Sequence, residues 1–478
     1  MREAASYPSI VYEVIVDRFR RGAGRDAGAV WGDEDDRRRR HGGDLWGVIE
    51  ALDHLEALGV DTLLLSPIWP SASALGDAVE DYQRVSPELG GEEALDALFV
   101  AARERKLRVV LTGIFDRVGH EHLWFKEGTT QQEDDDHVDP ARRWRSFFRF
   151  DVPPFGYGAY LGDADLPELN LGDHNLRHRL FHGDRSVVRT WLQRGAAGWR
   201  VDHADSLGYG VLREVQRASR SVSPDSVVVG DTRSYAEREV RDGIVDGVVN
   251  HYLREAVVAF LSGRVPAQEL ARLLEHQRQR YGARALVRSW NVLSDAGSAR
   301  ILSTLEGSVQ RTQLAVRLQY VLPGAALLFY GDEVGAAGET LPQARRPMSW
   351  DRGQWNQDLY ETCRAMGALR RAQPALVSGD ISILTPRGGD EVFSLVRHTR
   401  TPRETVVAAF NRSAVPRREL LFLPVEGLVD GLPMVDAFSG ERIDVKSGTL
   451  EVEVPAVGST ILIPAPDSIP GYTFVKDR

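Results

Sequence analysis

Gly198-Trp199-Arg200-Val201-Asp202 decides how this sequence is read. The run before it, Val187 to Ala197, has helical spacing and closes on Gly195. The spacing predicts helix, turn, then a buried strand whose last residue is an acid. In a parallel β/α barrel, an acid at the C-terminal end of a strand faces the pocket where active sites are built. Arg200 precedes Asp202 by two residues and so shares its side of the strand. A guanidinium beside a carboxylate keeps it ionised and oriented, as a nucleophile requires. A structural ion pair at a strand end is the alternative reading.

Working outward, seven further short apolar runs resemble this strand. They are Ile10 to Phe19, Asp61 to Ser66, Leu107 to Phe115, Ser226 to Asp231, Gly243 to Asn250, Ser289 to Leu293 and Ala325 to Tyr330. Helical stretches such as Trp46 to Leu58 and Glu92 to Lys106 lie between them. Strand–helix alternation predicts a parallel sheet, and eight units favour closure into a barrel. One connection stands out: roughly sixty residues rich in His, Asp, Pro, Gly and Trp separate Phe115 from Leu176, far beyond an ordinary loop. After a helix from Leu359 to Arg371, six runs alternate as half-buried strands do: Ile381 to Leu384, Val392 to His398, Thr405 to Phe410, Glu419 to Leu423, Met434 to Phe438 and Thr449 to Val454. They predict an antiparallel sandwich.

Composition narrows the partners. The chain has 478 residues, 42% hydrophobic and 27% charged, with a net charge of -10. That suits a globular protein. The run Arg37 to Arg40 follows Asp33 to Asp36 directly and reads as a mixed solvated loop, so nucleic acid is not an expected partner. No apolar run has the length of a membrane span, and Met1 to Ser9 lacks a leader pattern. A cytoplasmic location without membrane partners is expected. The single cysteine, Cys363, leaves no internal disulfide and no cysteine metal cluster. His120 and His122 lack a clear third ligand, so no metal site is assigned to them. Oligomeric state leaves no signal.

The chain resembles the α-amylase family, glycoside hydrolase family 13, in its cyclomaltodextrinase and neopullulanase branch. Gly42 to Pro70 resembles the family's first helix and second strand, and Asp81-Tyr82 to Pro87 its DYxxVDP turn. Gly198 to Asp202 resembles the GWRxD strand. Tyr330 to Gly335 and Arg346 to Trp350 resemble the eighth strand and its loop. The resemblance implies a (β/α)8 TIM barrel over 1–116 and 174–375. It also implies a subdomain over 117–173 inserted after strand 3, and a C-terminal β-sandwich over 376–478. It implies α-glucan chemistry with Asp202 as nucleophile and Arg200 as its orienting partner. The expected ligand is a carbohydrate or glycoside. No cofactor is expected beyond a structural calcium, for which the Asp33 to Asp36 loop is the candidate.

Retaining glycoside hydrolysis uses two carboxyl groups about 5 Å apart, one a nucleophile and the other a proton donor. The family adds a third that grips sugar hydroxyls. Against that pattern, Asp231 stands where the family has Glu. Ala296 and Gly297 stand at its His-Asp pair. Thr112 and Arg117 replace an acid and a histidine after strand 3, and the sugar-stacking tyrosine falls at Asp77-Ala78. Asp202 and Asp231 are the catalytic candidates; Arg200, His203, Arg300 and Asp295 are the candidate substrate-binding residues. Asp295 either looks into the pocket in place of the lost acid or caps the turn before Ala296 and Gly297.

Three functions stay open: a glucan-binding protein with hydrolysis lost or strongly weakened, a specialised α-glucosidase or transglycosylase using Asp202 and Asp231, and different chemistry on a glycosylated metabolite. His203, Asp205 and Arg117 are the new polar groups available to the last.

Overall fold

The computed structural model describes residues 7–24, 39–130, 144–384 and 390–465. The acidic loop Asp33 to Asp36 lies outside them.

Eight parallel strands close into a barrel in sequence order. They are β1 (Ile10–Val14), β2 (Thr62–Leu65), β3 (Arg108–Gly113), β4 (Gly198–Val201), β5 (Val227–Thr232), β6 (Gly247–Asn250), β7 (Trp290–Val292) and β8 (Ala325–Phe329). Closure is explicit at Val11, which stands opposite Thr62 on one side and Leu327 on the other. The barrel interior is a dry cluster that includes Val11, Leu64, Val110, Val229, Val249 and Leu327. Both faces of such strands are buried, which explains their near-continuous apolar runs.

β4 shows how the strands sort their side chains. Gly198 has no room for a Cβ against the backbone of Val227. Trp199 points outward and stacks on Trp69, with centroids 6.2 Å apart and planes at 17°. Arg200 and Asp202 share the inner side with Gly198. Their direction is therefore fixed by the packing of Trp199 behind them.

Several bounds differ from expectation. β1 stops at Val14, and Val16–Phe19 turns into a short helix. Asp17 there is buried and accepts hydrogen bonds from the backbone N–H groups of His41 (2.9 Å) and Gly42 (3.1 Å). A continued strand would have no such partners for this carboxylate. The helix expected over 46–58 is two pieces, Leu45–Glu50 and Leu52–Ala57, broken at Ala51. Between β3 and the helix Val187–Arg194 that leads into β4, the described residues form a body of short elements: the helix Leu123–Thr130, single helical turns and isolated bridges. An aromatic cluster organises it: Phe125 packs edge-on against Phe148 and Tyr157.

Beyond the helix Gln357–Ala372 lie two antiparallel sheets facing each other across a shared apolar core. One has six strands and the other two. β9 (Asp380–Leu384), β10 (Val392–His398), β11 (Val406–Asn411), β13 (Pro433–Asp436), β14 (Arg442–Asp444) and β16 (Gly458–Pro464) form the larger. β12 (Arg417–Phe422) and β15 (Thr449–Val454) form the smaller. β14 and β16 were not expected. β16 sits between β11 and β13 and is largely buried, so it lacks the alternation that marks a half-buried strand.

Two buried arginines meet at the end of one barrel helix, Arg370 from the helix Gln357–Ala372 and Arg397 from β10, and Arg397 ties the larger sheet to the barrel. Arg370 Nη1 and Nη2 donate to the carbonyls of Tyr320 and Gly324, and Arg397 Nη1 donates to Val321 (2.6 Å). They thereby cap the end of the helix Val309–Val321, whose last carbonyls have no intrahelical donors.

Candidate functional site

A cavity of about 160 Å³ opens at the C-terminal mouth of the barrel. Its wall includes Asp202, His203 and Asp231, with Arg200 between the two acids. Arg200 leaves β4 on the inner side and reaches both carboxylates. Its Nη1 lies 3.3 Å from Oδ1 of Asp202, and its Nη2 donates to Oδ2 of Asp231. The two acids thus share one mouth and one guanidinium.

Asp202 carries a second clamp. Arg117 Nη2 donates to its Oδ2 at 2.8 Å, while Nη1 donates to Asp116 at 2.6 Å. The Arg117 guanidinium lies over the ring of Tyr160, 4.1 Å from its centroid. His203 follows Asp202 in a left-handed conformation (φ 44°) and meets the same ring edge-on. Thr112 lines the cavity, and its hydroxyl donates to the carbonyl of Leu65 at 2.8 Å. Asp205 is exposed at the start of the following helix and is not on the cavity wall.

Asp231 is held from the other side by His251, whose Nε2 lies 2.8 Å from Oδ1. Burial alone would raise the Asp231 carboxyl, but the Arg200 charge and the His251 hydrogen bond hold it well below the usual carboxylate range. Glu13 behaves in the opposite way. It lies at the floor of the same cavity, 5% exposed. Burial pushes its carboxyl up to about 7, opposed by Arg200 and reinforced by Asp295 and Asp231.

Asp295 is the turn cap: the N–H of Gly297 donates to its Oδ1 at 3.0 Å. Its Oδ2 accepts from Arg233 Nη2 at 2.5 Å, so it stands behind Arg233, off the cavity wall. Arg233 fills the space that a side chain at residue 297 would take, because a Cβ added to Gly297 meets Arg233 Nη2 first. Arg300 is not brought to the cavity. It is 1% exposed and donates to the carbonyls of Ala344 (2.7 Å) and Tyr330 (2.6 Å) and to Asp332 (3.0 Å). Its work is to hold the loop after β8.

Ligand atoms of Asp231, His251 and Asp295 lie within 4.8 Å of one another, the one such grouping among the described residues. Arg200 and Arg233 already bind its two carboxylates, and their charges oppose a cation there. His122 is buried with its ring pushed down to about 3 by desolvation, and Nδ1 accepts from the N–H of Trp124. His120 is half exposed. No helix among the described residues is long and apolar enough to cross a membrane.

Glu13, Arg233 and His251 were missed from sequence. Glu13 had a signal: it is a charged residue inside the apolar run Ile-Val-Tyr-Glu-Val, and it shares its strand face with Val11, which lies in the barrel interior.

A family model described as "Alpha amylase, catalytic domain" matches residues 13–375. Neopullulanase 2 from Thermoactinomyces vulgaris is 28% identical over 95% of this chain and 77% of its own length. A cyclomaltodextrinase from Geobacillus thermopakistaniensis is 29% identical over 94% of this chain and 76% of its own. Among solved structures, the cyclic α-maltosyl-(1→6)-maltose hydrolase of Arthrobacter globiformis, in complex with cyclic α-maltosyl-(1→6)-maltose, superimposes with a TM-score of 0.83 at 25% identity. That match covers 96% of this chain and 99% of that one. With the closed barrel and the match spanning nearly all of it, the chain belongs to the α-amylase family.

Proposed function

We propose that this protein binds an α-glucoside at the mouth of the barrel, with Asp202 beneath the sugar, and that hydrolysis by the family's usual pair of acids is strongly weakened. One observation carries the reading. The acid that must donate a proton to the leaving oxygen would be Asp231, and Arg200 and His251 both stabilise it as a carboxylate. A group held ionised at neutral pH has no proton to give. Asp231 is also one methylene shorter than the glutamate expected there, and displacements of about 1 Å lower rates by orders of magnitude. The grip of a third carboxylate is missing as well, since Arg233 fills its place. The cavity volume of about 160 Å³ falls below the ~300–1,000 Å³ usual for ligand sites. That supports a short glycoside or a single terminal sugar as ligand.

Calorimetry with maltotriose and an aryl α-glucoside, alongside product analysis, tests the reading. Binding is expected, with maltotriose turnover far below the ~1–10³ per second typical of enzymes. Turnover within that range, abolished by Asp202→Asn, would sink the claim of weakened hydrolysis. Absence of binding to any α-glucoside would sink the ligand assignment.

A further inference from the structure

We propose that the N-terminal mouth of the barrel, opposite the cavity lined by Asp202, holds a second ligand site that takes the phosphate group of a small molecule. The proposal stands independently of the function assigned to the other mouth.

A cavity of about 360 Å³ opens there. Val227 and Trp290 on its wall are the first residues of β5 and β7, Asp246 immediately precedes β6, and Tyr7 and Pro8 lead into β1. The wall therefore belongs to the strand ends farthest from Asp202 and Asp231. Active sites of such barrels are built at the C-terminal mouth, and the N-terminal mouth ordinarily serves stability. Here the volume lies within the ~300–1,000 Å³ usual for ligand sites.

Its charged lining is Arg220, Arg284 and Arg288 against Asp225 and Asp246. Asp246 is fully engaged within the protein. Its Oδ1 accepts from Arg220 Nη2 at 2.5 Å and from Arg288 Nη1 at 3.2 Å, and its Oδ2 accepts from the N–H of Val228 at 2.9 Å. Arg220 Nη1 donates to the carbonyl of Pro224. Arg288 Nη2 donates to the hydroxyl of Tyr7, and its guanidinium lies over that ring, 4.4 Å from the centroid. Arg284 precedes Arg288 by four residues in the helix Ala283–Arg288, so the two stand side by side. The Arg284 guanidinium makes no hydrogen bond or ion pair among the described residues. Asp225 is exposed at the rim.

The donors left over define the ligand. Arg288 Nε and Trp290 Nε1 are both buried without an acceptor, and Trp290 is 0% exposed. The Tyr7 hydroxyl accepts from Arg288 and keeps its own proton to donate. With the open guanidinium of Arg284, N–H and O–H donors surround a space whose inner carboxylate is already occupied. Buried polar groups of this kind are ordinarily satisfied by water or ligand. A surplus of donors on a wall with one more cation than anion selects an anion. Phosphate answers more of these donors than a carboxylate does, because it offers three terminal oxygens rather than two, and guanidinium groups match its geometry. Free phosphate and a small phosphate ester share this chemistry.

Two measurements on the full chain test this. Calorimetry should show binding of ribose 5-phosphate, weakened about tenfold to a hundredfold by Arg284→Ala. Arg284 is exposed, so this replacement should not disturb the fold, and a thermal melt checks that it does not. In protein labelled with ¹⁵N at the tryptophan indoles, the Nε1 signal that is missing from Trp290→Phe should move when ribose 5-phosphate is added. Inorganic phosphate is the second probe. Equal affinity for both supports free phosphate as the occupant, and tighter binding of ribose 5-phosphate supports an ester. A wild type that binds neither probe overturns the site, as does a Trp290 signal that neither probe moves or an Arg284→Ala protein with wild-type affinity. Tighter binding of ribonate, a carboxylate of similar size, than of ribose 5-phosphate overturns the choice of phosphate.

Discussion

Arg117 Nη2 lies 2.8 Å from Oδ2 of Asp202, so the acid at the end of β4 is held by a guanidinium from the segment after β3 as well as by its own neighbour Arg200. Side chains on both sides of this contact are largely buried. Removing one member of such a pair strands the other charge. Arg117→Met should therefore lower stability by about 3 kcal/mol. Adding Asp202→Asn should recover part of that loss. Urea unfolding of the two single variants and the double variant measures the coupling, and strict additivity would show that the pair does not interact.

Stability should depend on pH through Glu13. Burial raises its carboxyl from an ordinary 4.5 to about 7. The folded protein keeps a proton there that the unfolded chain releases, so this stabilisation is complete below pH 4.5 and is lost as pH rises through 7. The loss is on the order of 3 kcal/mol. Glu13→Gln should be more stable than the wild type at pH 8 and nearly equal to it at pH 4.5. Asp231 acts with the opposite sign: its depressed carboxyl contributes stability at neutral pH that fades on acidification. Urea midpoints across this range separate the two, and a Glu13→Gln curve parallel to the wild type would refute the first.

Restoring the family's acids in two steps should fail. Gly297→Asp places its Cβ against Arg233 Nη2. The double variant Gly297→Asp, Asp231→Glu is expected to gain no maltotriose hydrolysis. Replacing Arg233 with alanine as well opens the space, and activity should then rise at least tenfold. A gain in the double variant alone would mean that Arg233 moves aside readily.

Arg397 is 0% exposed and faces carbonyls rather than a carboxylate: Val321, Gly379 and Asp380. Desolvation, aided by Arg370, pulls it down to about 9. Arg397→Met would leave buried acceptors without donors, each worth about 1–3 kcal/mol. The unfolding midpoint should fall while maltotriose affinity of the folded protein is unchanged, a split that calorimetry with thermal melts resolves.

Arg300→Lys should behave similarly. Its fork serves two carbonyls and Asp332 together, which a lysine ammonium cannot reproduce. Reduced melting temperature with unaltered sugar binding is the expected pattern; a selective loss of affinity would place Arg300 at the ligand.

The barrel was legible because each strand is a short apolar run bounded by helix, and Trp199, Val229 and Leu327 have no other place than a core. Asp202 and Asp231 were legible as acids closing such runs. Asp295 was legible as a turn cap because Asp before Ala-Gly accepts a local N–H. The partners of these acids were not legible. Arg117 lies 85 positions from Asp202, and Arg233 lies 62 from Asp295. Such pairings follow from the curvature of a closed sheet, which no local pattern records. Arg300 shows the converse error: a charged side chain beside a site motif had its fork turned toward backbone carbonyls.

The seating of Arg233 on Asp295 also bears on how this pocket can change over generations. Arg233 donates to Oδ2 of Asp295, and its Nη2 is the first atom a Cβ at residue 297 would meet. A side chain added at 297 therefore has to displace the Arg233 guanidinium, and displacing it takes away a partner of Asp295. Positions 233, 295 and 297 are thus coupled, and substitutions at them are expected to be non-additive.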